Sequence, residues 1–415
     1  MTSVDEATQI ILSHTQAMAT ERLPILEALG RVLAADIVSQ RDHPPWNNSA
    51  MDGYAVQWDD IRNATPEVPA ILNVMDEVQA GGMSTRAIGR GEAIQIMTGA
   101  PVPGGADSVV RVEDTAQDGE TVKIFQPYKK GRNIRLKGED IQQGQRAIPA
   151  NTFIRPAEVG MLATAGQAAA LVHQQPKVTV LATGNELAEP GEMLRPEKIV
   201  NSNSYSIAAL TRESGATPVL LETAKDTKTD LEAKIRQALS ADIGIVIGGV
   251  SMGKYDFVKD VLKDVGCEMK FWRVDIRPGH PVAFGVLPQE NGRTTLLFGL
   301  PGNPVSCIVA FYQFVRPAIR RMMGLRDIFL AQVDAALEED TFNRSSRRHF
   351  ARAITTYRDG DYHVKLSGAQ GSGILTSMVQ ANSFLVLPED GGEFKAGERV
   401  QVQLLPGGST TPPFL

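Results

Sequence analysis

Four segments rich in glycine and carboxylates each follow a run that we predict to be a strand of one sheet. They contain Gly184 and Glu186, then Asp226, then Gly248 and Gly249, and finally residues 299–304. At the carboxyl ends of parallel strands, glycines let backbone N–H groups approach an anion, and carboxylates can hold Mg²⁺. Any one glycine could simply make a tight turn. Four such loops at one edge favour a site for a phosphorylated or nucleotide-linked ligand with a divalent metal.

The third of these loops also fits motifs of two other enzyme classes. Gly248 to Lys254 has the glycine spacing of a phosphate-binding P-loop, but Tyr255 stands where that motif needs Ser or Thr. Gly249-Val250-Ser251-Met252-Gly253 has the spacing of a nucleophile elbow, with Ser251 as the nucleophile. A serine hydrolase is therefore an alternative function.

Basic side chains also lie near this edge. Arg273 and Arg277 lie on or just after a strand predicted over residues 271–276, and their even spacing predicts that they share a face. Two guanidinium groups on one face can bind an oxyanion through paired hydrogen bonds. An ordinary solvated strand end is the competing interpretation. Asp140, at the end of Gly138-Glu139-Asp140, is likewise either a ligand or a turn residue.

The length of the chain predicts two to four domains, and the pattern along it indicates which regions position these loops. Strands alternate with helices over residues 176–325, which predicts an α/β domain with a largely parallel, covered sheet. Short strands separated by Gly and Pro predict a small, mostly β domain over 44–140 and a β-barrel or sandwich over 326–415. Residues 1–43 and 141–175 are assigned to a mixed linker domain. Within it, residues 4–29 have helical periodicity, broken at Pro24.

The composition argues against several classes of partner. The chain has 415 residues and a net charge of −6, which argues against a broad nucleic-acid surface. Its two cysteines, Cys267 and Cys307, lack the spacing of a zinc site. The N-terminal residues lack the pattern of a secretory signal, and no apolar run approaches the ~20 residues of a membrane span. We therefore expect a cytoplasmic protein that binds neither nucleic acid nor membrane.

Five motifs occur in order along nearly the whole chain. They are Pro45-Trp-Asn-Asn-Ser-Ala-Met-Asp-Gly-Tyr-Ala55, Ile96-Met-Thr-Gly-Ala-Pro101, Asn133-Ile-Arg-Leu-Lys-Gly-Glu-Asp140, Gly248-Gly-Val-Ser-Met-Gly253 and Gly299-Leu-Pro-Gly-Asn-Pro304. Each motif is weak alone, but the set resembles the MoeA family, the molybdopterin molybdenumtransferases, which are related to the E domain of gephyrin. The resemblance implies a multidomain α/β and β protein. Its central domain would be a three-layer α/β domain of the MogA/MoaB type, joined by a small β domain, a linker domain and a C-terminal β-barrel-like domain.

The resemblance also implies a reaction and an assembly. Molybdate would be inserted into adenylylated molybdopterin with release of AMP, assisted by Mg²⁺. The protein would be an elongated homodimer whose active site is shared between the α/β domain of one subunit and the small β domain of the other. A molybdopterin adenylyltransferase would deliver the substrate. A non-catalytic scaffold like gephyrin is a second alternative, although a scaffold has no need for acidic and basic groups at one edge.

The family's functional positions fall on particular residues of this chain. Catalytic roles are implied for Asp52, Thr98, Asp140 and Asp256, and metal binding for Glu186, Asp226 and Asp256. Together, the resemblance and the loop positions predict the substrate-binding residues Gly184, Gly248, Gly249, Ser251, Gly253, Arg273, Arg277, Pro301, Asn303, Arg347 and Ser372.

The chain departs from the family pattern at the edge of the predicted sheet. Asn185 stands where the family usually has Asp, which removes one carboxylate and favours Glu186 as the metal ligand. Arg273 and Arg277 stand where Lys is usual, and His280 stands where Lys is common. Arginine keeps the positive charge but binds oxyanions with a planar fork, so the geometry of molybdate contact is expected to differ.

Overall fold

The computed structural model of the protein describes residues 2–126, 128–193, 195–249, 258–289 and 292–408. These residues form two compact units. The α/β–barrel unit comprises Met1–Glu21, Gly30–Ala34 and Val172–Leu415, and the small-domain unit comprises Arg22–Leu29 and Ala35–Leu171. Among the helices of these ranges, none is both long enough and apolar enough to cross a membrane.

The chain begins with helix α1 (Val4–Ser13), whose N-terminus is capped by the Ser3 hydroxyl, which accepts a hydrogen bond from the Glu6 N–H at 3.1 Å. The helical prediction for residues 4–29 is wrong beyond Ser13. Strand Thr20–Pro24 follows, and its exposure alternates from one residue to the next. The alternation has the period of a strand, and Pro24 cannot donate the hydrogen bond that a helix interior requires.

The small-domain unit is built on six strands: β1 (Gly53–Val56), β2 (Ala70–Val78), β3 (Glu92–Ile96), β4 (Ser108–Arg111), β5 (Thr115–Asp118) and β6 (Thr121–Ile124). Their order is β4-β1-β3-β2-β6-β5, and only β2 and β3 pair in parallel. All four residues of β1 are buried. The mostly β character predicted for this region is confirmed. Helices α2 (Trp58–Ile61) and α3 (Pro156–Thr164) and a 3₁₀ turn, Val112–Asp114, belong to the same unit.

Short strands complete the small-domain unit. Ile37–Val38 pairs with Arg146–Ile148, and Asn48–Ser49 pairs with Ile134–Arg135. A further strand, Ala169–His173, leads toward the α/β domain.

The α/β domain contains a six-stranded sheet of β7 (Lys177–Ala182), β8 (Thr217–Leu220), β9 (Ile243–Ile247), β10 (Glu268–Phe271), β11 (Ala283–Pro288) and β12 (Thr294–Leu300). The order is β8-β7-β9-β12-β11-β10. The first four strands are parallel to one another, while β11 runs antiparallel to both of its neighbours, β12 and β10. The parallel α/β sheet predicted from sequence is confirmed, and its carboxyl-terminal edge carries the loops after β7, β8, β9 and β12.

Helices cover this sheet because its central strands are apolar on both faces. Every residue of β9 is buried. The helices are α4 (Ser202–Glu213), α5 (Lys228–Ala238), α6 (Val258–Asp264), α7 (Pro304–Ala310) and α8 (Arg316–Met322). A π-helical turn, Phe311–Val315, joins α7 to α8 into one continuous helical segment. Phe284 and Phe298 stack in the core with ring centroids 5.1 Å apart.

The C-terminal domain is a closed barrel of five strands: β13 (Gln332–Leu337), β14 (Arg348–Arg358), β15 (Asp361–Leu366), β16 (Ser383–Leu387) and β17 (Arg399–Leu404). The order is β14-β15-β13-β17-β16, and β16 pairs back onto β14 to close the barrel. This resolves the choice between barrel and sandwich. Helix α9 (Thr376–Gln380) precedes β16, and the short strands Thr341–Asn343 and Gly392–Phe394 pair with each other. Within the α/β domain, Leu187–Ala188 pairs with Ile199–Val200.

Candidate functional site

The structure brings the four glycine and carboxylate loops together at one edge of the α/β sheet. Thr183, directly after β7, forms a parallel bridge with Ala224, and its N–H donates to the Ile247 carbonyl at 3.0 Å. The Gly248 N–H donates to the Leu300 carbonyl at 3.0 Å. The loops after the four parallel strands are therefore joined to their neighbours by backbone hydrogen bonds.

Two of the glycines in these loops are required by the backbone. Gly184 has φ +142°, and a Cβ there would lie 2.5 Å from Oε2 of Glu186. Gly248 has φ +84°, and its Cβ would lie 3.1 Å from the Thr183 carbonyl oxygen. A side chain at either position would be strained and crowded, so these glycines keep the loops close to each other.

Asn185 and Asp226 hold two of the loops together. The Asn185 N–H donates to Asp226 Oδ2 at 3.1 Å, and the Asp226 N–H donates to Asn185 Oδ1 at 3.2 Å. The amide at position 185 thus has a structural partner. Glu186 is exposed, and its carboxylate has no hydrogen-bond or ion-pair partner among the described residues. Asp256, Ser251 and Gly253 lie outside the described residues.

The remaining loops of this edge connect to the barrel. The Val305 N–H, in the first turn of α7, donates to the Ser372 carbonyl at 3.0 Å. Gly279 lies against Pro301 and Ser306, because a Cβ at Gly279 would be 3.7 and 3.2 Å from atoms of these residues. Pro301 and Ser372 are therefore brought to the sheet edge. Asn303 is the residue that precedes α7, although its side chain makes no capping hydrogen bond.

The strand predicted over residues 271–276 is wrong. Strand β10 ends at Phe271, and a separate strand, Ile276–Arg277, pairs with β14 of the barrel. At the break, the Val274 N–H donates to the His280 carbonyl at 3.3 Å and the Asp275 N–H donates to the Thr2 carbonyl at 2.9 Å, so the backbone does not continue the pairing of the sheet. Val274 and Ile276 have no exposed area. Arg273 is half-buried and Arg277 is exposed, so the alternation of burial persists although the regular strand does not.

A buried arginine lies beside this strand. Arg352 on β14 has no exposed area, and its Nη2 donates to the carbonyl oxygens of Ala369 and Gly371 at 3.2 and 3.0 Å. Its Nε donates to the Ser377 hydroxyl at 3.1 Å. Its Nη1 is buried and has no hydrogen-bond partner in the described chain. No described carboxylate forms an ion pair with it.

The surroundings of Arg352 are positively charged. Burial, with a contribution from the charge of Arg277, lowers the pKa of Arg352 to about 10. Burial, together with the charges of Arg277 and Arg352, lowers the pKa of His349 to about 4 and keeps that imidazole neutral near pH 7. An isolated buried charge is costly unless a counter-charge compensates it. The arrangement therefore favours a negatively charged group beside Arg352.

Arg347 and His280 take other positions near this strand. The Arg347 carbonyl accepts from Asn343 Nδ2 at 2.8 Å, and its half-buried guanidinium has no partner within the described ranges. His280 Nδ1 lies 3.0 Å from the Val274 carbonyl. His280 therefore helps to shape the turn that carries Arg277.

The small-domain unit assembles the first three sequence motifs. The Asn48–Ser49 strand pairs with Ile134–Arg135, and Asn48 also forms a bridge with Pro101. Gly53 is essential to this packing because a Cβ there would lie 1.9 Å from the Val110 carbonyl oxygen. The three motifs are therefore adjacent in space as well as ordered in sequence.

Asp52 and Thr98 form the polar centre of these motifs. Oδ1 of Asp52 accepts from the Thr98 N–H and from the Thr98 hydroxyl, both at 2.7 Å. These two hydrogen bonds hold the pKa of Asp52 below its usual value. The exposed Asp52 carboxylate is thus an ionised, oriented acceptor. Asp140 is also exposed, and its N–H donates to the His43 carbonyl at 3.1 Å, but no described contact joins it to Asp52.

Arg352 and Ser377 are not among the site residues predicted from the sequence. A strand residue with a full positive charge between apolar neighbours, in Phe350-Ala351-Arg352-Ala353, is the signal that could have drawn attention to it. The described residues contain no group of three or more His, Cys, Asp or Glu side chains arranged to hold a metal. Glu186 and Asp226 are therefore two exposed carboxylates at the edge of the α/β sheet, and no third acidic side chain among the described residues joins them in a metal-binding group.

Three family models match consecutive parts of the chain. The MoeA N-terminal region (domain I and II) matches residues 2–166, a probable molybdopterin binding domain matches residues 179–321, and the MoeA C-terminal region (domain IV) matches residues 334–405. Together they cover most of the sequence.

Full-length relatives and a solved structure agree with these models. A molybdopterin molybdenumtransferase of a Nostoc species is 36% identical over 93% of this chain and 89% of its own length. Molybdopterin molybdenumtransferase 2 of Mycobacterium tuberculosis is 37% identical over 97% of this chain and 99% of its own length. The crystal structure of the molybdopterin biosynthesis moeA protein from Pyrococcus horikoshii has a TM-score of 0.82 at 30% identity, covering 97% of this chain and 100% of the other.

Proposed function

Because the chain belongs to the MoeA family of molybdopterin molybdenumtransferases, which act in molybdenum cofactor biosynthesis, we propose that it inserts molybdate into adenylylated molybdopterin with Mg²⁺-assisted release of AMP. The substrate molybdate is a dianionic oxyanion, and the chain must hold it beside the ligand that receives the metal. A serine hydrolase and a non-catalytic scaffold have no comparable support from the relatives.

The observation that carries this proposal is the buried guanidinium of Arg352. Its Nη1 has no hydrogen-bond partner among the described residues, and the nearby charge of Arg277 makes the region more positive. In another buried arginine, Arg316, burial and the charge of Arg320 also lower the pKa to about 10, although Tyr312 and Glu213 oppose this shift. The contrast lies in hydrogen bonding, since Nη1 of Arg316 donates to the Ile328 carbonyl at 2.9 Å. An oxyanion that accepts from Arg352 and Arg277 would supply the missing counter-charge.

The metal site fits the carboxylates of the sheet edge. Glu186 and Asp226 present exposed carboxylate oxygens, the donors that Mg²⁺ prefers, and we expect Asp256 to complete the set. When bound, Mg²⁺ would neutralise the bridging phosphates of the adenylylated substrate. The chain's own contribution is to orient these phosphates through the loops at Gly184 and Gly248. In the small-domain unit, Asp52 is fixed by Thr98 as an acceptor that can orient the substrate or a water molecule.

The direct test is a turnover assay with purified protein, adenylylated molybdopterin, molybdate and Mg²⁺. AMP is separated by chromatography, and the product is assayed by reconstitution of a cofactor-free molybdoenzyme. We expect AMP release to require molybdate and to fall by at least tenfold in Glu186→Ala and Asp226→Ala, because each removes a proposed metal ligand. AMP release that is independent of molybdate, or a product that reconstitutes nothing, would contradict the proposal.

We also propose that two subunits share each active site, so that the small-domain unit of one subunit serves the α/β domain of the other. Mixing inactive Asp52→Ala subunits with inactive Glu186→Ala subunits should then restore up to roughly one quarter of the wild-type activity, because half the dimers are mixed and each has one intact site. Subunit exchange is verified by mass spectrometry of differently tagged chains. Complete exchange without recovered activity would exclude a shared site. Within this proposal, a cytoplasmic adenylyltransferase supplies the substrate.

A further inference from the structure

A polar cavity of about 390 Å³ lies next to the sheet edge, between α4 and the loops after β7 and β8. This volume is within the range of small-molecule sites, roughly 300–1,000 Å³. The residues that line the cavity adjoin the proposed metal site in the sequence, since Glu189 follows Glu186 by three residues. Thr223 immediately precedes Ala224, which bridges to Thr183 of that edge.

The polar wall of the cavity centres on Glu189. Its Oε2 accepts from the Tyr205 hydroxyl at 2.8 Å, and its Oε1 accepts from Asn201 Nδ2 and from the Thr223 hydroxyl, both at 3.4 Å. The two bonds at 3.4 Å are long, and an ionised carboxylate has about four acceptor positions. The network thus fixes the orientation of the carboxylate and leaves one acceptor position free on Oε2. A second position becomes available on Oε1 when a ligand donor displaces one of the two long hydrogen bonds.

A second observation points to a ligand in the same cavity. Ser204, which lines it, is only 3% exposed, yet its hydroxyl has no hydrogen-bond partner in the described part of the chain. Buried hydroxyls are almost always paired, so this one is available to a bound molecule. The rest of the lining includes apolar surface from Leu187, Leu220 and the ring of Tyr205, which suits the faces of a flat heterocycle.

We propose that this cavity binds the pyrimidine edge of the pterin ring, with Glu189 accepting hydrogen bonds from the ring N–H and the neighbouring exocyclic amino group. The assignment rests on the proposed function, because a pterin belongs to the expected substrate. It also discriminates between the two ends of that substrate. The pterin edge presents two adjacent donors, which match two carboxylate oxygens. The adenine edge presents a donor beside an acceptor, and that acceptor would face a carboxylate oxygen.

The test uses fluorescence titration of the full-length protein with free pterin. Lumazine, which has a second carbonyl in place of the amino group, serves as the matched ligand. The wild type should bind pterin about tenfold more tightly than lumazine, since one charge-assisted hydrogen bond depends on the amino group. Glu189→Gln should abolish this preference, because the amide offers one acceptor and introduces a donor. Glu192→Gln, an exposed residue at the same cavity, should keep it.

Several results would overturn the assignment. One is an equal loss of pterin and lumazine binding in Glu189→Gln, and another is a wild type without preference for pterin. A loss of AMP affinity with unchanged pterin affinity would assign the cavity to the adenylate end instead. The outcome is separable from the turnover assay: a wild type that inserts molybdenum but shows no pterin preference contradicts only this assignment. A wild type with the preference but without molybdate-dependent AMP release contradicts only the proposed function.

Discussion

Asp52 and Arg352 represent opposite ways to place a charge at a functional position. Asp52 is exposed, and Thr98 satisfies one of its oxygens with two short hydrogen bonds. Arg352 is fully buried, its Nη1 has no hydrogen-bond partner in the part of the chain that the structure describes, and Arg277 adds a like charge nearby. Hydrogen bonding lowers the pKa of the first group and thus favours its charged form, whereas burial lowers the pKa of the second and disfavours its charged form.

The two groups differ in what stabilises the charge. Hydrogen bonds from Thr98 stabilise the Asp52 carboxylate, whereas we expect a bound anion to stabilise the Arg352 guanidinium. In the small-domain unit, hydrogen bonds from Thr98 stabilise the ionised form of Asp52 without a bound ligand. In the α/β–barrel unit, no described carboxylate pairs with the buried charge of Arg352, and a bound oxyanion would neutralise it. Mutations should therefore change the two regions in different ways, and three predictions test this contrast.

The largest effect is expected from Arg352→Met, which removes the buried charge but keeps much of the volume. A hydrogen-bonded charge pair is worth roughly 2–3 kcal/mol, so molybdate-dependent kcat/KM should fall about 100-fold, with the loss concentrated in the KM for molybdate. Arg352→Lys should recover part of it. Arg316→Met removes another buried arginine and should leave the KM for molybdate unchanged. If Arg352→Met and Arg316→Met changed the KM for molybdate equally, the proposed role of Arg352 in binding the oxyanion would be contradicted.

The next effect concerns the pH dependence of stability through His349. Its pKa is about 4 in the folded protein because of burial and the charges of Arg277 and Arg352, against about 6.5 when unfolded. Stability is therefore full above about pH 6.5 and is lost as the pH falls toward 4, by roughly 2 kcal/mol between pH 7 and pH 5. His349→Phe should flatten this dependence in the apparent melting temperature, whereas His363→Phe should not. An unchanged slope in His349→Phe would show that burial there carries no such cost.

The smallest effect is expected from Thr98→Val. The variant loses the hydroxyl donor but keeps the backbone N–H, so the pKa of Asp52 should rise part of the way to its usual value. Because the folded pKa is lowered, the stabilisation by Asp52 is present above its unfolded pKa, about 3.9, and is lost as the pH falls through the folded pKa. We expect less than a tenfold loss of activity. Carboxyl carbon NMR measures the pKa directly, with Thr115→Val as the control because its hydroxyl donates only to a backbone carbonyl. If the pKa of Asp52 were the same in Thr98→Val as in the wild type, the hydrogen bond from the Thr98 backbone N–H alone would account for the lowered pKa.

The sequence was most informative where local pattern and fold coincide. The alternation of strands and helices over residues 176–325 predicted a covered parallel sheet, and with it the edge where the glycine loops meet. The strand Ile243–Ile247 of this sheet is fully buried. Prediction was weaker where tertiary packing decides. The strand predicted at residues 271–276 is interrupted because the N–H groups of Val274 and Asp275 donate to the His280 and Thr2 carbonyls. Arg352 could not be distinguished from a surface arginine, because its burial depends on the loop at Ala369 and Gly371, which follows it by 17 and 19 residues.

The two-residue strand Ile276–Arg277 belongs to the α/β domain by chain connectivity and to the barrel by hydrogen bonding. Arg348 reinforces this connection, since its N–H donates to the Asp275 carbonyl at 3.2 Å. A rotation of the barrel against the α/β sheet must therefore either break this ladder or carry Arg277 with it. Because β14 also carries Arg352, an intact ladder keeps the spacing of Arg277 and Arg352 fixed while the two domains rotate. The two arginines therefore move with the barrel as one unit.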